Sequence, residues 1–229
     1  MATFGILVGG GPAPGINGVI GAAATVALRR GARVLGCLDG FRWLMEGDAG
    51  HVRELTLDEV AEVHLKGGSI LHTSRANPTR KPEHLANVVR TLAGLGVDHL
   101  ITIGGDDTAF SARRVAEEAA GRIRVAHVPK TIDNDLPLTD TCPGFGSVAK
   151  YVAVSTREAS LDVASMASTS TRVFVLEVMG RHAGWIATYS GIAGGADVIL
   201  VPEIPIDLDE VCDLILRRHS RGKSFSIVV

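Results

Sequence analysis

Two short segments gather residues that could bind phosphate and a divalent cation. Residues 104–108 read Gly-Gly-Asp-Asp-Thr, and residues 129–135 read Pro-Lys-Thr-Ile-Asp-Asn-Asp. Glycines let a ligand approach the backbone closely, and Mg²⁺ commonly binds one or two carboxylates together with phosphate oxygens. Asp133 and Asp135 are two residues apart, so an extended chain would point both carboxylates to one side. The first segment suits a magnesium ion, and the second suits proton abstraction beside a bound phosphate.

Purely structural explanations compete with this chemistry. Aspartate is a favoured N-cap residue, so Asp106 and Asp107 could simply begin a helix. Asn and Asp favour turns, which could account for residues 133–135. A turn does not explain why Lys130 and Thr131 stand directly before those residues.

A third segment, residues 9–15, reads Gly-Gly-Gly-Pro-Ala-Pro-Gly between a predicted strand and a predicted helix. Such a loop can bring backbone N–H groups and a helix N-terminus against a phosphate. It matches neither a dinucleotide fingerprint, because Pro14 stands at the third glycine position, nor a Walker A loop, because Ile16 and Asn17 replace Lys-Ser/Thr. A structural tight turn therefore remains an alternative.

Each segment follows an apolar run that predicts a strand. These runs are continuous rather than alternating, which is typical of parallel strands buried on both faces. We predict a doubly wound, mostly parallel α/β fold, Rossmann-like, with ligands beyond the carboxyl ends of the strands. Two domains are expected, residues 1–141 and 142–229. The predicted strands are residues 4–8, 33–38, 98–103, 123–128, 172–178, 197–201 and 224–229, and the predicted helices are residues 16–30, 82–95, 106–118, 148–165, 185–192 and 207–220.

Composition narrows the class of protein. The net charge is −2, and no Lys/Arg run exceeds a pair, which argues against a nucleic-acid partner. The apolar run at residues 19–28 is too short to span a bilayer, and the three cysteines form no CxxC pair. We expect a cytoplasmic protein without a membrane partner. Because the last predicted strand stops at Val229, we expect a longer protein whose second domain is incomplete in this chain.

The motifs resemble those of the phosphofructokinase family. Gly-Gly-Asp-x-Thr at residues 104–108, Thr-Ile-Asp-Asn-Asp at residues 131–135 and Met-Gly-Arg at residues 179–181 occur in family order. Gly-Gly-Ser-Ile-Leu at residues 67–71, followed by Ser74 and Arg75, also fits. Lipid and nicotinamide-nucleotide kinases share only the first motif. The resemblance covers residues 4–229 and implies phosphoryl transfer to the 1-hydroxyl of fructose 6-phosphate.

The resemblance also implies roles for individual residues. The first domain would bind the phosphoryl donor and the second the sugar phosphate. Asp106 would hold Mg²⁺ with Asp135 nearby, and Asp133 would be the general base. The other catalytic residues would be Lys130 and Thr131, and the donor-binding residues would be Gly10, Gly11, Arg75, Arg80, Asp107 and Thr108. The substrate-binding residues would be Thr131, Asp133, Asp135, Arg172, Met179, Gly180 and Arg181. Arg172 resembles an arginine that reaches across a subunit interface, which implies a homo-oligomer with a shared site.

Two positions bear on the donor. Family members that use ATP typically carry glycine where Asp107 stands, whereas members that use pyrophosphate resemble this chain at Asp107 and Lys130. An aspartate would fill the volume that a nucleotide needs and set a carboxylate against an anion. Pyrophosphate is therefore the expected donor. The alternatives are an ATP-dependent 6-phosphofructokinase and a non-catalytic, regulatory subunit that binds sugar phosphate.

Overall fold

A computed structural model describes residues 1–166 and 172–229, which form two compact units, Met1–Thr131 and Ile132–Val229. The division lies earlier in the chain than the predicted boundary at Cys142. Within the described ranges, no helix combines the length and the apolar character needed to cross a bilayer.

The first unit is built on a five-stranded sheet. Its strands are β1 (Thr3–Val8), β2 (Arg33–Cys37), β3 (Val52–Glu54), β4 (His99–Gly104) and β5 (Arg124–Pro129). Their order across the sheet is β3-β2-β1-β4-β5. Strand β1 pairs in parallel with β2 and β4, and β4 pairs in parallel with β5. Only the short β3, paired with β2, is antiparallel in this sheet as the structure describes it. This arrangement confirms the predicted α/β fold with a mostly parallel sheet.

Helices of the first unit cover this sheet. They are α1 (Ile16–Arg29), α2 (Leu57–Val60), α3 (Pro82–Gly94) and α4 (Asp106–Ala119), with 3₁₀ turns at Leu44–Glu46, Val63–Leu65 and Pro78–Arg80. Pro82 stands in the first turn of α3, where its missing N–H and fixed φ suit a helix start. A Thr56–Glu59 capping box begins α2.

The main core of the first unit lies between the sheet and α3 and α4. Leu7 and Leu100 from the strands pack with Val88 and Leu92 of α3 and Val115 of α4, and all five side chains are buried. Buried apolar area of this kind stabilises the scaffold at roughly 25 cal/mol per Å². The loops that follow β1, β4 and β5 are therefore attached to a well-packed base.

The second unit holds fewer strands in its described part. Its elements are α5 (Phe145–Met166), β6 (Arg172–Val175), α6 (Trp185–Gly194), α7 (Leu208–Ser220) and β7 (Phe225–Val228). Strands β6 and β7 pair in parallel. Ile227 and Val229 pack with Val163 of α5 and Ala187 of α6 in a small buried cluster.

Two strand predictions differ from the structure in the second unit. The predicted strand at residues 197–201 is wrong, because that segment forms only an isolated bridge between Val198 and Val228. Backbone hydrogen bonds still tie it to β7, since Asp197 and Val198 both donate to the carbonyl of Ile227. Leu200 also donates to the carbonyl of Val229, and Val229 donates to the carbonyl of Val198, so the pairing with β7 amounts to the single bridge at Val198. The strand predicted at residues 172–178 ends at Val175.

Candidate active site

The glycine loop after β1 is held on both sides by backbone hydrogen bonds. The N–H of Gly9 donates to the carbonyl of Ile103 at 2.8 Å, and the N–H of Gly10 donates to the carbonyl of Ser74 at 2.9 Å. Gly10 has φ of 86°, in the left-handed region that glycine adopts without steric cost. The Thr73 hydroxyl donates to the carbonyl of Gly10 at 2.7 Å. The loop is therefore fixed in one conformation beside residues 73–75.

Lys130 lies buried against this loop. Lys130 is the residue that follows β5, and it is only 6% exposed. Its Nζ donates a hydrogen bond to the carbonyl of Gly11 at 2.6 Å. No carboxylate forms an ion pair with Lys130 among the residues that the structure describes. Burial lowers the pKa of the ammonium below its usual value, and the positive charge of Arg75 lowers it further. Two cationic side chains thus lie beside the glycine loop with no acidic partner for Lys130, which is the electrostatic environment of an anion site.

Asp106 and Asp107 open α4, directly after β4. Both side chains are exposed, and one oxygen of Asp106 accepts the N–H of Asp107 at 2.9 Å. The N–H of Lys130 donates to the carbonyl of Gly104 at 2.8 Å, so this loop adjoins the start of the Lys130 segment. The carboxylates therefore lie at the N-terminus of a helix at the carboxyl end of the central strands, where the helix dipole and the free N–H groups favour negative charge.

Thr108 and Arg80 lie in different surroundings from the other predicted donor-binding residues. Thr108 is 6% exposed and packs against Gly9 and Gly104, leaving no room for a Cβ at either glycine. Arg80 is exposed at the end of a 3₁₀ turn, and it makes no hydrogen bond or ion pair with the glycine loop in the described chain. The structure thus brings together Gly10, Gly11 and Lys130 within contact distance, with Arg75 close enough to affect the lysine.

The second unit carries the two carboxylates of the other motif. Asp133 is half-buried, and Asp135 is exposed. Burial raises the pKa of the Asp133 carboxyl above its usual value, and the negative charge of Asp135 raises it further. A raised pKa makes a carboxylate a stronger base, which suits Asp133 to accept a proton.

The loop between these residues and α5 is closed by Asn134. Asn134 has φ of 53°, and its side-chain amide donates to the carbonyl of Asp140 at 3.0 Å. Its side-chain oxygen accepts the N–H of Cys142 at 2.9 Å. Asn134 therefore fixes the backbone between the two carboxylates rather than facing a ligand.

Residues 179–181 form the second motif of this unit. Met179 is 65% exposed, and Arg181 is also exposed. Gly180 has φ of 110°, and a Cβ there would collide with the carbonyl of Ala183. The end of this turn, just before α6, is fixed by Glu203, because its carboxylate oxygen accepts the N–H of Gly184 at 2.8 Å.

One small apolar cluster supports both motifs of the second unit. Ile132, directly before Asp133, and Val178, directly before Met179, both pack against the cluster that contains Phe145 of α5 and Ile186 of α6. A chain that anchors two polar segments on one cluster holds them at a defined separation.

Arg172 is exposed at the start of β6, where its N–H donates to the carbonyl of Ser224.

Sequence reasoning missed several positioning residues. Thr73 and Glu203 act by hydrogen bonding to backbone, as does Asn17 of α1, whose amide contacts residues 66–70. Their partners are backbone groups far along the chain, and no motif records such a pairing. The sequence showed Asn17 only as a polar residue in the first turn after a glycine loop. A turn at residues 133–135 was the structural alternative predicted there, and Asn134 fills that role.

The family model described as phosphofructokinase matches residues 3–229. The chain belongs to the phosphofructokinase family. Pyrophosphate–fructose 6-phosphate 1-phosphotransferase of Thermotoga maritima is 45% identical over 99% of this chain. ATP-dependent 6-phosphofructokinase of Thermoanaerobacter sp. is 38% identical over the whole chain and 68% of its own length. The pyrophosphate-dependent phosphofructokinase of Marinobacter aquaeolei has a similar solved structure, with a TM-score of 0.83 and 33% identity over 100% of this chain and 60% of its own.

Phosphofructokinase relatives are longer than this chain. The chain spans 55% of the Thermotoga maritima relative, a little over half of its length. The sequence motifs and the family model agree over residues 3–229.

Proposed function

We propose that this phosphofructokinase family member transfers a phosphoryl group from pyrophosphate to the 1-hydroxyl of fructose 6-phosphate. The observation that carries the proposal is the buried Lys130 ammonium, held by the carbonyl of Gly11 without an acidic partner in the described structure. A lysine ammonium has three donors. One is used by Gly11, which leaves two for the phosphate oxygens of a small, highly charged donor.

The donor side of the reaction rests on charge. Gly10 and Gly11 let the donor approach the backbone, while Lys130 and Arg75 balance its negative charge. Phosphoryl transfer depends mainly on such positioning and charge neutralisation. When the P–O bond to the leaving group breaks, Lys130 would stabilise the orthophosphate that remains.

Magnesium fits the residues at the start of α4. The described residues contain no group of three His, Cys, Asp or Glu side chains placed to hold a metal, so a cation would share the oxygens of the donor. Asp106 is exposed with one oxygen already bonded to Asp107, which suits a single carboxylate ligand. When bound, the ion would neutralise charge on the transferred phosphoryl group.

The acceptor side rests on Asp133. Its carboxylate takes the proton of the 1-hydroxyl as the hydroxyl oxygen bonds to phosphorus, and Thr131 hydrogen-bonds the transferring group or the sugar. Asp135, Met179, Gly180 and Arg181 would bind fructose 6-phosphate, with Arg172 contributed to a neighbouring subunit of a homo-oligomer. We place the protein in the cytoplasm, with no nucleic-acid or membrane partner.

ATP is the second candidate donor, because an ATP-dependent relative is 38% identical over the whole chain. The exposed Asp107 carboxylate at the helix start favours pyrophosphate, since it would repel and obstruct a nucleotide. A regulatory role without catalysis is disfavoured, because Asp106, Asp133 and Arg181 are all present.

A direct assay tests the proposal. Purified protein is incubated with fructose 6-phosphate and either Mg·pyrophosphate or Mg·ATP, and fructose 1,6-bisphosphate is quantified. We expect turnover with pyrophosphate and a loss of about 10²- to 10⁴-fold in kcat for Asp133→Asn, the range that general-base catalysis supplies. A strong preference for ATP would overturn the donor assignment, and binding without turnover by either donor would favour the regulatory role.

A further inference from the structure

Asn17 is a buried polar side chain to which the proposed chemistry assigns no role. It lies in the first turn of α1, directly after the glycine loop, and is 1% exposed. Its amide nitrogen donates to the carbonyl of Lys66 at 2.9 Å and to the carbonyl of Gly67 at 3.2 Å. Its amide oxygen accepts the N–H of Ile70 at 2.8 Å. One side chain thus satisfies three backbone groups of a single segment.

The segment that Asn17 holds belongs to no helix or strand. Residues 66–70 are irregular, so their backbone groups lack the regular pairing that an element would provide. Breaking these bonds would free the carbonyls of Lys66 and Gly67 and the N–H of Ile70, three backbone groups of one short segment, from their shared side-chain partner. The path of residues 66–70 therefore depends on Asn17.

This segment leads directly to Arg75. Beyond Ile70, the backbone of Ser74 pairs with Gly9, and the Ser74 hydroxyl donates to the carbonyl of Asp39 at 2.6 Å. The segment is thus anchored at its beginning by Asn17 and near its end by the glycine loop. Arg75 follows the second anchor, exposed and close enough to lower the pKa of Lys130.

We infer that Asn17 is a positioning residue for donor binding, which acts by holding residues 66–70 so that Arg75 faces the donor phosphates. The inference rests on the proposed donor site. The inference gives α1 two roles at the donor site. Its N-terminus follows the glycine loop, and Asn17 in its first turn holds residues 66–70, which lead to Arg75.

A double-mutant cycle tests this inference in the full chain. Pyrophosphate binding is measured by calorimetry in the presence of Mg²⁺ for the wild type, Asn17→Ala, Arg75→Ala and the double variant. We expect Asn17→Ala to weaken pyrophosphate binding by about 10-fold, within the range of coupled neighbours. In the Arg75→Ala background the same change should have less than about a 2-fold effect, because the group that Asn17 positions is already gone. The KM for fructose 6-phosphate should stay unchanged.

Asn87→Ala is the matched control. Asn87 is a half-buried asparagine of α3 whose amide donates to the carbonyl of Met45 at 3.0 Å. Its removal should lower the melting temperature without changing pyrophosphate affinity.

Asn17→Asp keeps the oxygen that accepts the N–H of Ile70 but loses the two hydrogen bonds donated to Lys66 and Gly67. We expect it to weaken pyrophosphate binding as well.

Hydrogen exchange on the wild type provides a second measurement that does not require a stable variant. Pyrophosphate should slow exchange across residues 66–75, and absence of protection there would overturn the inference. Equal effects of Asn17→Ala in both backgrounds would also overturn it, as would equal weakening of both substrates. A wild type that binds pyrophosphate, with an Asn17→Ala variant that binds as tightly, would refute the role of Asn17 and leave the proposed function standing. A wild type that binds no pyrophosphate would refute both.

Discussion

The Nζ of Lys130 donates a hydrogen bond to the carbonyl of Gly11 across 2.6 Å, joining the ends of β1 and β5 through one buried side chain. Because burial disfavours the charged ammonium, this lysine is held at an energetic cost to the folded state. Sites that bind anions commonly accept such a cost, since the ligand provides the missing charge.

Lys130→Met should separate stability from activity. Removing the buried charge offsets the lost hydrogen bond from the ammonium to Gly11, which is worth about 1.5–3 kcal/mol, so the free energy of unfolding should be equal or higher. Turnover with pyrophosphate should fall by at least about 10²-fold, as when another group that stabilises transition-state charge is removed. Denaturant unfolding tests the expected stability, and steady-state assays test the expected loss of turnover. Lys150→Met, at an exposed position of α5, should change neither.

The difference in the free energy of unfolding between the wild type and Lys130→Met should also depend on pH. The pKa of Lys130 is lower in the folded state than in the unfolded state. The penalty is therefore complete below the folded pKa and disappears as pH rises toward the unfolded value. Unfolding curves across the alkaline range should show that the free energy of unfolding of the wild type increases relative to that of Lys130→Met as pH rises. A constant difference would show that the lysine is not desolvated.

Asp135→Asn should move the acidic limb of the pH–rate profile. The negative charge of Asp135 raises the pKa of Asp133. Removing that charge lowers the pKa of the base, so kcat/KM for fructose 6-phosphate should begin to fall at a lower pH than in the wild type. Asp140→Asn, an exposed carboxylate in the same loop, should leave the limb in place. An unchanged limb in Asp135→Asn would contradict the role of Asp133 as the titrating base.

Asp107→Gly should relax the discrimination against ATP. The side chain is exposed in the first turn of α4, and its removal would open volume and remove a repulsive charge. The ratio of kcat/KM for ATP to that for pyrophosphate should rise. Asp209→Gly is the matched control, because Asp209 holds the same second position in α7 and its loss carries the same helix-propensity cost. An unchanged ratio in Asp107→Gly would refute the steric argument.

Gly104→Ala should damage the scaffold of the donor site. The added Cβ would lie 2.6 Å from the Cβ of Thr108 and 2.8 Å from the carbonyl oxygen of Gly9. Such overpacking costs about 1–3 kcal/mol, and the shift it forces should weaken pyrophosphate binding. Gly18→Ala in α1 meets no atom within 4 Å and should be neutral or stabilising. Thermal melts and calorimetry on both variants distinguish these outcomes, and a Gly104→Ala protein as stable as the wild type would contradict the close packing.

Continuous apolar runs were sufficient to predict β1 and β4 and the helices that follow them. The short β3 was missed because Val52–Glu54 has only three residues, two of them charged, and its pairing is set by β2 rather than by its own pattern. The strand predicted at residues 197–201 failed for the opposite reason. Its composition suits a strand, and it does bond to β7, but the pairing amounts to one bridge at Val198.

The candidate chemical side chains were easier to recognise in the sequence than the residues that support them. Lys130 and Asp133 stand in recognisable motifs, whereas the burial of Lys130 and the raised pKa of Asp133 depend on neighbours brought in by the fold. Thr108 was predicted as a donor ligand from its motif, and the structure adds that it is packed beneath two glycines. Asn17 was noticed only as a departure from a Walker A loop.

Asp107 lies on the surface at a helix start, whereas the side chains that hold the sheet together are buried. A substitution at such a position touches no core contact and carries little risk for folding. Under the proposed selection of the donor by Asp107, exchange of one phosphate source for another would be open to evolution in single, tolerated steps, and a lineage that meets a change in its energy supply would adapt at this position while inheriting the scaffold intact.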